Sequence, residues 1–169
     1  MNLRRTKLVM NDFAKYVIQQ SRSNLSRDKK NVTKALYNSL DSQILQDQKG
    51  LELIFEMLEY GTYQDQGVSG TKKKYNTPFK YTNKYPNIGA LDRWSVRKSQ
   101  LKKKVRDSKG RFIPRKSLVF LIARNIFLKG IKPSLFFTKP FEKRFTNFIN
   151  ELGNGFKFDF ENDLQDEKG

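Results

Sequence analysis

The first periodic pattern of hydrophobic residues along the chain lies in residues 8–25. Val9, Phe13, Tyr16 and Val17 recur at steps of three and four residues, and polar or basic side chains occupy most positions between them. Residues three and four apart lie on the same face of a helix, so this spacing predicts one amphipathic helix.

A different pattern follows, in which apolar and polar residues alternate. Residues 40–47 and 51–59 both have a period of two, and in the second run Leu51, Leu53 and Phe55 share one face while glutamates lie on the other. The Gln-Lys-Gly segment between the two runs is a turn signal. A helix is the alternative for the second run, but the turn and the period of two favour an antiparallel hairpin with one buried face.

Three further helices are predicted in the second half of the chain, at residues 90–103, 118–128 and 139–152. Residues 61–89 are rich in Gly, Lys, Asn, Thr and Tyr and predict a long loop, which is too long for an ordinary connection. Gly153 is expected to end the last helix. Residues 153–169 then predict an extended acidic C-terminal tail, and residues 1–152 a single domain.

The charge of the chain is strongly positive and unevenly distributed. There are 34 basic and 17 acidic residues, which gives a net charge of +17. Residues 159–169 contain five acids and one lysine, so this segment carries −4 and the rest of the chain +21. A field of this size favours a polyanionic partner: DNA, RNA, an anionic lipid or an acidic protein surface.

The composition also excludes several kinds of chemistry. The chain has no cysteine and no histidine, which removes thiolate catalysis, the commonest general base and the commonest metal ligands. Glu52, Glu56 and Glu59 follow one predicted strand and are interpreted as a solvated face. No apolar run approaches the ~18 residues of a membrane span. We therefore predict no enzyme, no cofactor, no metal and no membrane partner.

Residues 97–116 form a basic insert with ten basic residues and one acid, Asp107. Lysines and arginines on a loop neutralise phosphates without reading sequence; the alternative is a solvated face or a patch that docks on an acidic neighbour. The candidate residues facing DNA or an acidic partner are Arg97, Lys98, Lys102, Lys103, Lys104, Arg106, Lys109, Arg111, Arg115 and Lys116.

Aromatic residues outside the predicted helices are candidates for contacts between subunits. In the tail, alternating phenylalanines favour docking into a partner, although Asp159, Glu161 and Asp163 beside them are an alternative cation site. The candidate subunit contacts are Tyr63, Tyr75, Phe79, Tyr81, Phe156, Phe158 and Phe160.

Residues 63–71 contain Gly-Val-Ser-Gly after an acidic residue and are similar to a short motif of serine recombinases. No strand with an Arg-then-Ser pattern precedes it, as the nucleophile motif of that family requires. We interpret Gly67, Ser69 and Gly70 as a tight turn.

Three segments in order carry a resemblance to a family. They are the Ser-Arg-Ser-Asn-Leu of residues 21–25 leading to the Ala-Leu-Tyr-Asn-Ser-Leu of residues 35–40, the Tyr-Gly edge into a long loop at residues 58–67, and the Phe-x-x-Pro-Phe signature within residues 129–141. Over residues 8–152 the chain resembles the head–tail connector proteins of bacteriophages (tail-completion, neck or ring proteins), and most closely the ring proteins of crAss-like phages.

The resemblance implies an α+β fold, in which a small antiparallel sheet packs against the N-terminal helix and later helices. It also implies a structural virion protein made in the host cytoplasm. This protein would form a homo-oligomeric ring, twelvefold ahead of sixfold, with the portal or adjacent connector and tail rings and the genome DNA as partners. Segment 102–116 departs from the shorter family members, so its role is not carried over. The alternative is a stand-alone basic nucleic-acid-binding module.

Overall fold

The computed structural model describes residues 3–28, 33–48, 50–97 and 106–166. The predicted α+β class is confirmed: this part of the chain forms six helices and a two-stranded antiparallel sheet. It divides into two compact units. Unit 1 contains Met1–Leu58 and Leu135–Gly169, and unit 2 contains Glu59–Ser134. The sequence predicts a boundary at residue 152 instead.

The N-terminal helix α1, Arg4–Arg27, forms the centre of unit 1. Its apolar face is the predicted one, and Phe13 is only 2% exposed. The Phe13 ring stacks on Phe148 at 4.1 Å between centroids and meets Phe55 and Phe141 edge-on. Burial of large aromatic rings is the main stabilising contribution in so small a core.

The predicted hairpin is confirmed. Strand β1, Asp41–Asp47, pairs antiparallel with strand β2, Gly50–Glu56. Apolar side chains of one face, including Leu53 and Phe55, pack on the α1 core. Before the hairpin, the short helix α2, Ala35–Ser39, places a leucine in a second small cluster.

The last helix, α6, extends over Thr138–Asp166, so the predictions of a helix end at Gly153 and of an extended tail over residues 153–169 are wrong for the described part. The physical reason is packing against α1. Gly155 is buried, and a Cβ there would lie 3.4 Å from the Cα of Thr6 and from Cγ2 of Val9. The glycine thus permits a close approach of two helices and does not stop α6.

Unit 2 contains helices α3, Tyr60–Gln66, α4, Ile88–Arg97, and α5, Arg115–Lys129. The predicted loop over residues 61–89 is therefore wrong at its start, where α3 forms and ends at Gly67 with φ +77°. Residues 98–103 of the helix predicted at residues 90–103 lie outside the described residues. Helices α4 and α5 pack on each other.

The Gly-Val-Ser-Gly segment forms the backbone centre of unit 2. Val68 and Ile131 exchange two backbone hydrogen bonds of 2.8 and 2.9 Å, and Ser69 bonds through its backbone to Phe79 and Tyr81. A Cβ on Gly70 would collide with the carbonyl oxygen of Leu128. The segment therefore joins the end of α5 to the chain before α4.

Candidate functional site

The positive charge of the chain is concentrated in unit 2. Glu59–Ser134 contains 19 basic and 4 acidic residues, whereas the two segments of unit 1 together contain 15 basic and 13 acidic residues. The net charges are thus +15 and +2. The sequence prediction assigned the imbalance to everything before the acidic end of the chain, but most of it belongs to one structural unit.

The predicted basic residues that the structure describes are all on the surface of unit 2. Arg97 ends α4, and Arg115 and Lys116 begin α5. Lys98, Lys102, Lys103 and Lys104 lie outside the described residues. The exposed members are Arg97, Arg106, Lys109, Arg111, Arg115 and Lys116.

A tight turn at residues 106–112 positions three of these cations, Arg106, Lys109 and Arg111. The carboxylate of Asp107 accepts hydrogen bonds from the backbone N–H groups of Lys109 and Arg111 at 2.9 and 2.8 Å, and from Nε of Arg111 at 3.0 Å. The hydrogen bond from the Arg111 backbone is the main reason that the pKa of Asp107 lies below its ordinary value. Gly110 supplies the positive φ that the turn needs. Asp107, the acid within the basic insert, therefore stabilises the turn on which the cations of the insert lie.

The Arg106 guanidinium lies 4.3 Å from the centroid of the Phe112 ring across the same turn. Residues 106 and 112 also pair as an antiparallel bridge. The contact restrains the direction of the arginine while leaving it exposed, as cation–π contacts at a surface do.

Arg115 joins α5 to α4. Its Nε and Nη2 atoms lie 2.8 and 2.7 Å from the two carboxylate oxygens of Asp92. A bidentate pair has a defined geometry, but both side chains are about half exposed, so the pair contributes about 0–1 kcal/mol. The pair connects α4 and α5 at the two ends of the basic insert.

The four loop aromatics predicted as subunit contacts have contacts within unit 2. Tyr63 and Phe79 meet edge-on at 4.7 Å. Tyr81 lies 6.3 Å from Phe127, and burial raises the pKa of the Tyr81 hydroxyl. Tyr75 bonds through its backbone to the Ser69 hydroxyl. Packing within one chain accounts for these residues, and their contact with a second subunit stays a prediction.

The tail phenylalanines have a different arrangement from the predicted one. In a strand, Phe156, Phe158 and Phe160 would share one face; on helix α6, Phe158 points away from the other two, because successive helical residues are separated by 100°. Phe158 lines a cleft beside Arg5 and Leu8 of α1. All three rings are half exposed, at 48–55%.

Sequence reasoning missed a continuous apolar face along α6, which we call the α6 stripe. Its members follow each other at steps of four or seven residues and are each 41–50% exposed. An apolar groove of about 400 Å³ lies beside it, lined in part by Leu51 and Leu152. The signal was present as a helical period across Gly153 and Gly155. The α6 stripe consists of Phe145, Ile149, Phe156, Phe160 and Leu164.

Two residues considered for catalysis or metal binding are buried and hydrogen-bonded within the fold. Ser69 is 4% exposed, and its hydroxyl donates to the carbonyl oxygen of Tyr75 and accepts from the Tyr75 amide. Asp159 is also buried and accepts three hydrogen bonds from α1. Across the described ranges, no three acidic side chains lie close enough together to hold a metal ion.

No family model, curated protein or solved structure matches this chain. In the part of the chain that the structure describes, no helix combines the length and apolar character needed to cross a membrane. Two surfaces of the described residues bear on function: the basic surface of unit 2 and the α6 stripe of unit 1.

Proposed function

We propose that the protein is a non-enzymatic structural subunit of a bacteriophage head–tail connector ring, in which unit 2 contacts the DNA backbone and unit 1 contributes to assembly. The single observation that carries the proposal is the division of charge, +15 in unit 2 against +2 in unit 1. A division of this kind separates a polyanion-binding function from an assembly function along one chain.

The basic surface suits contacts to phosphates without sequence readout. Its described cations are exposed, and a turn shaped by Asp107 presents Arg106, Lys109 and Arg111 together. Such contacts hold any DNA sequence, which a protein lining a channel requires as the genome passes. This supports the DNA-facing part of the proposal.

The α6 stripe supports the assembly part. Monomeric proteins rarely leave so continuous an apolar face exposed. The residues around its C-terminal end include Glu161 and Asp163, whereas unit 2 is basic. Docking of this acidic, apolar helix end on unit 2 of a second copy would join two different surfaces. A contact between unlike surfaces is of the type that closes cyclic rings.

The first test measures duplex DNA binding by fluorescence anisotropy over a range of salt concentrations. Replacing Arg106, Lys109 and Arg111 with glutamine should lower the slope of log affinity against log salt by about 2–3, because each lost phosphate contact contributes about 0.9.

The matched control replaces three exposed lysines of unit 1 with glutamine, which removes the same charge from the other unit. Equal effects of the two triple variants would contradict a DNA-contacting role for unit 2, because they would indicate a response to net charge alone. The control lysines are Lys15, Lys139 and Lys143.

The second test measures native mass, alone and with portal particles. A closed ring, or assembly on the portal that a Phe156→Asp change abolishes, would support the connector proposal. The same charge division also favours the alternative, a stand-alone nucleic-acid-binding module. A monomer that binds duplex DNA in a salt-dependent way and never assembles would establish that alternative.

A further inference from the structure

Three aromatic rings form a short stacked column at the surface of unit 2. Tyr85 stacks on Phe127 at 4.4 Å between centroids with an interplanar angle of 20°, and its centroid lies 6.2 Å from that of Phe120 at an angle of 26°. Phe127 is half buried, whereas Tyr85 and Phe120 are 46% and 48% exposed. Two of these three nearly parallel rings are therefore about half exposed to solvent.

Cationic residues accompany the column along α5. Lys116 and Arg124 lie one turn before and one turn after Phe120 on the same helix face, and both are exposed. Lys84 adjoins Tyr85 in the chain and is exposed as well. The exposed Phe120 ring thus lies between the positive charges of Lys116 and Arg124 on the surface of unit 2.

From this arrangement we propose that the face formed by Tyr85, Phe120, Lys116 and Arg124 binds single-stranded nucleic acid, with an unpaired base stacked on the exposed rings and adjacent phosphates paired with the two cations. Aromatic platforms within basic grooves bind single strands in this way, because every base has a π-face. Paired bases in a duplex are stacked on each other and cannot reach the rings. The inference rests on the proposed function and deepens it, since it adds single-strand binding at this face to the duplex contacts proposed for the basic turn.

The test compares binding of an oligodeoxythymidine and of a duplex of the same length, by anisotropy at fixed salt. Phe120→Ala should weaken single-strand binding about 5- to 150-fold, which corresponds to the loss of one base–aromatic stack. Duplex affinity should stay within about twofold, and Phe120→Trp should restore single-strand binding.

The matched control is Phe158→Ala, which removes a ring of similar exposure from unit 1 and should leave both affinities unchanged. Circular dichroism of each variant verifies that the fold is retained. Unchanged single-strand binding in both Phe120→Ala and Tyr85→Ala would overturn the inference while leaving duplex binding by the basic turn in place.

Two other outcomes separate the inference from the function on which it rests. If Phe120→Ala lowers the native mass and leaves nucleic-acid affinity unchanged, the face is a contact between copies, and the inference is refuted. If the unmodified protein binds neither single strands nor duplex at low salt, the DNA-facing part of the proposed function fails as well.

Discussion

Asp159 supplies the N-terminal cap that α1 lacks in its own sequence. No acidic residue lies in the first turn of α1, and its N-cap residue Leu3 has no side chain that can cap. Asp159, on α6, instead accepts hydrogen bonds from the backbone N–H groups of Arg5 and Thr6 at 2.9 and 2.8 Å and from the Thr6 hydroxyl at 2.8 Å. The Asp159 carboxylate therefore caps the N-terminus of α1 and connects the second half of α6 to it.

The expected cost of removing this carboxylate follows from these contacts. Hydrogen bonds to a charged group contribute about 1.5–3 kcal/mol each, and a negative charge at a helix N-terminus adds about 0.3–1 kcal/mol. Asparagine keeps one carbonyl oxygen and the same shape. We therefore expect Asp159→Asn to lower the free energy of unfolding of unit 1 by about 1–3 kcal/mol, and Asp159→Ala to lower it further.

The loss should depend on pH. Burial opposes ionisation of Asp159, but the bonds from Thr6 and Arg5 and the charge of Arg5 together hold its pKa below the ordinary value. A lowered pKa in the folded state stabilises the protein above the unfolded pKa of about 3.9, and this contribution is lost as the pH falls through the folded pKa. The difference between the wild type and Asp159→Asn should therefore shrink below about pH 4.

Urea denaturation at pH 7 and at low pH measures this difference, and hydrogen exchange of the Arg5 and Thr6 amides reports the contacts directly. Glu161→Gln is the matched control: Glu161 is exposed on the same helix and pairs with Lys157 at 3.8 Å, so its loss should cost below about 0.5 kcal/mol. Equal stability of the two variants, with unchanged exchange at Thr6, would refute the capping argument.

Three further predictions concern other parts of the molecule. Gly70→Ala should unfold unit 2, because the new Cβ would collide with the backbone of Leu128. Loss of the near-ultraviolet circular dichroism signal would reveal the unfolding, and the control Gly153→Ala, at an open position, should keep that signal. Asp107→Ala should loosen the basic turn and speed hydrogen exchange of the Arg111 amide, while raising the net charge by one. Slower or unchanged exchange of that amide would contradict its hydrogen bond to Asp107. Phe13→Ala should lower the free energy of unfolding in urea by about 3–5 kcal/mol, and a loss below 1 kcal/mol would be inconsistent with its burial.

The elements predicted well are those whose stability is encoded locally. The structure contains the helix predicted by the spacing of Phe13 and Val17. It also contains the hairpin predicted by the period of two around Leu53. In these segments the buried face is continuous and a turn signal marks the boundary.

The second half of α6 was mispredicted because its determinants are tertiary. Gly153 and Gly155 are helix-stop signals when only local propensity is considered. Contact of Gly155 with α1 and the bonds of Asp159 offset that propensity, and both partners come from the opposite end of the chain. The surface column around Tyr85 and Phe120 has the same origin, since a loop and a helix far apart in sequence bring its rings together.

The discontinuous construction of unit 1 has a consequence for its biosynthesis. Thr6 and Asp159, which hold α1 to α6, are separated by 153 residues. At about 5–20 residues per second, α1 leaves the ribosome roughly 8–30 s before its partner helix is made. Unit 2 is complete before α6 is translated, so the basic unit can fold while α1 and the hairpin still expose their apolar faces to chaperones. The apolar core between α1 and α6 is therefore the last part of unit 1 to close.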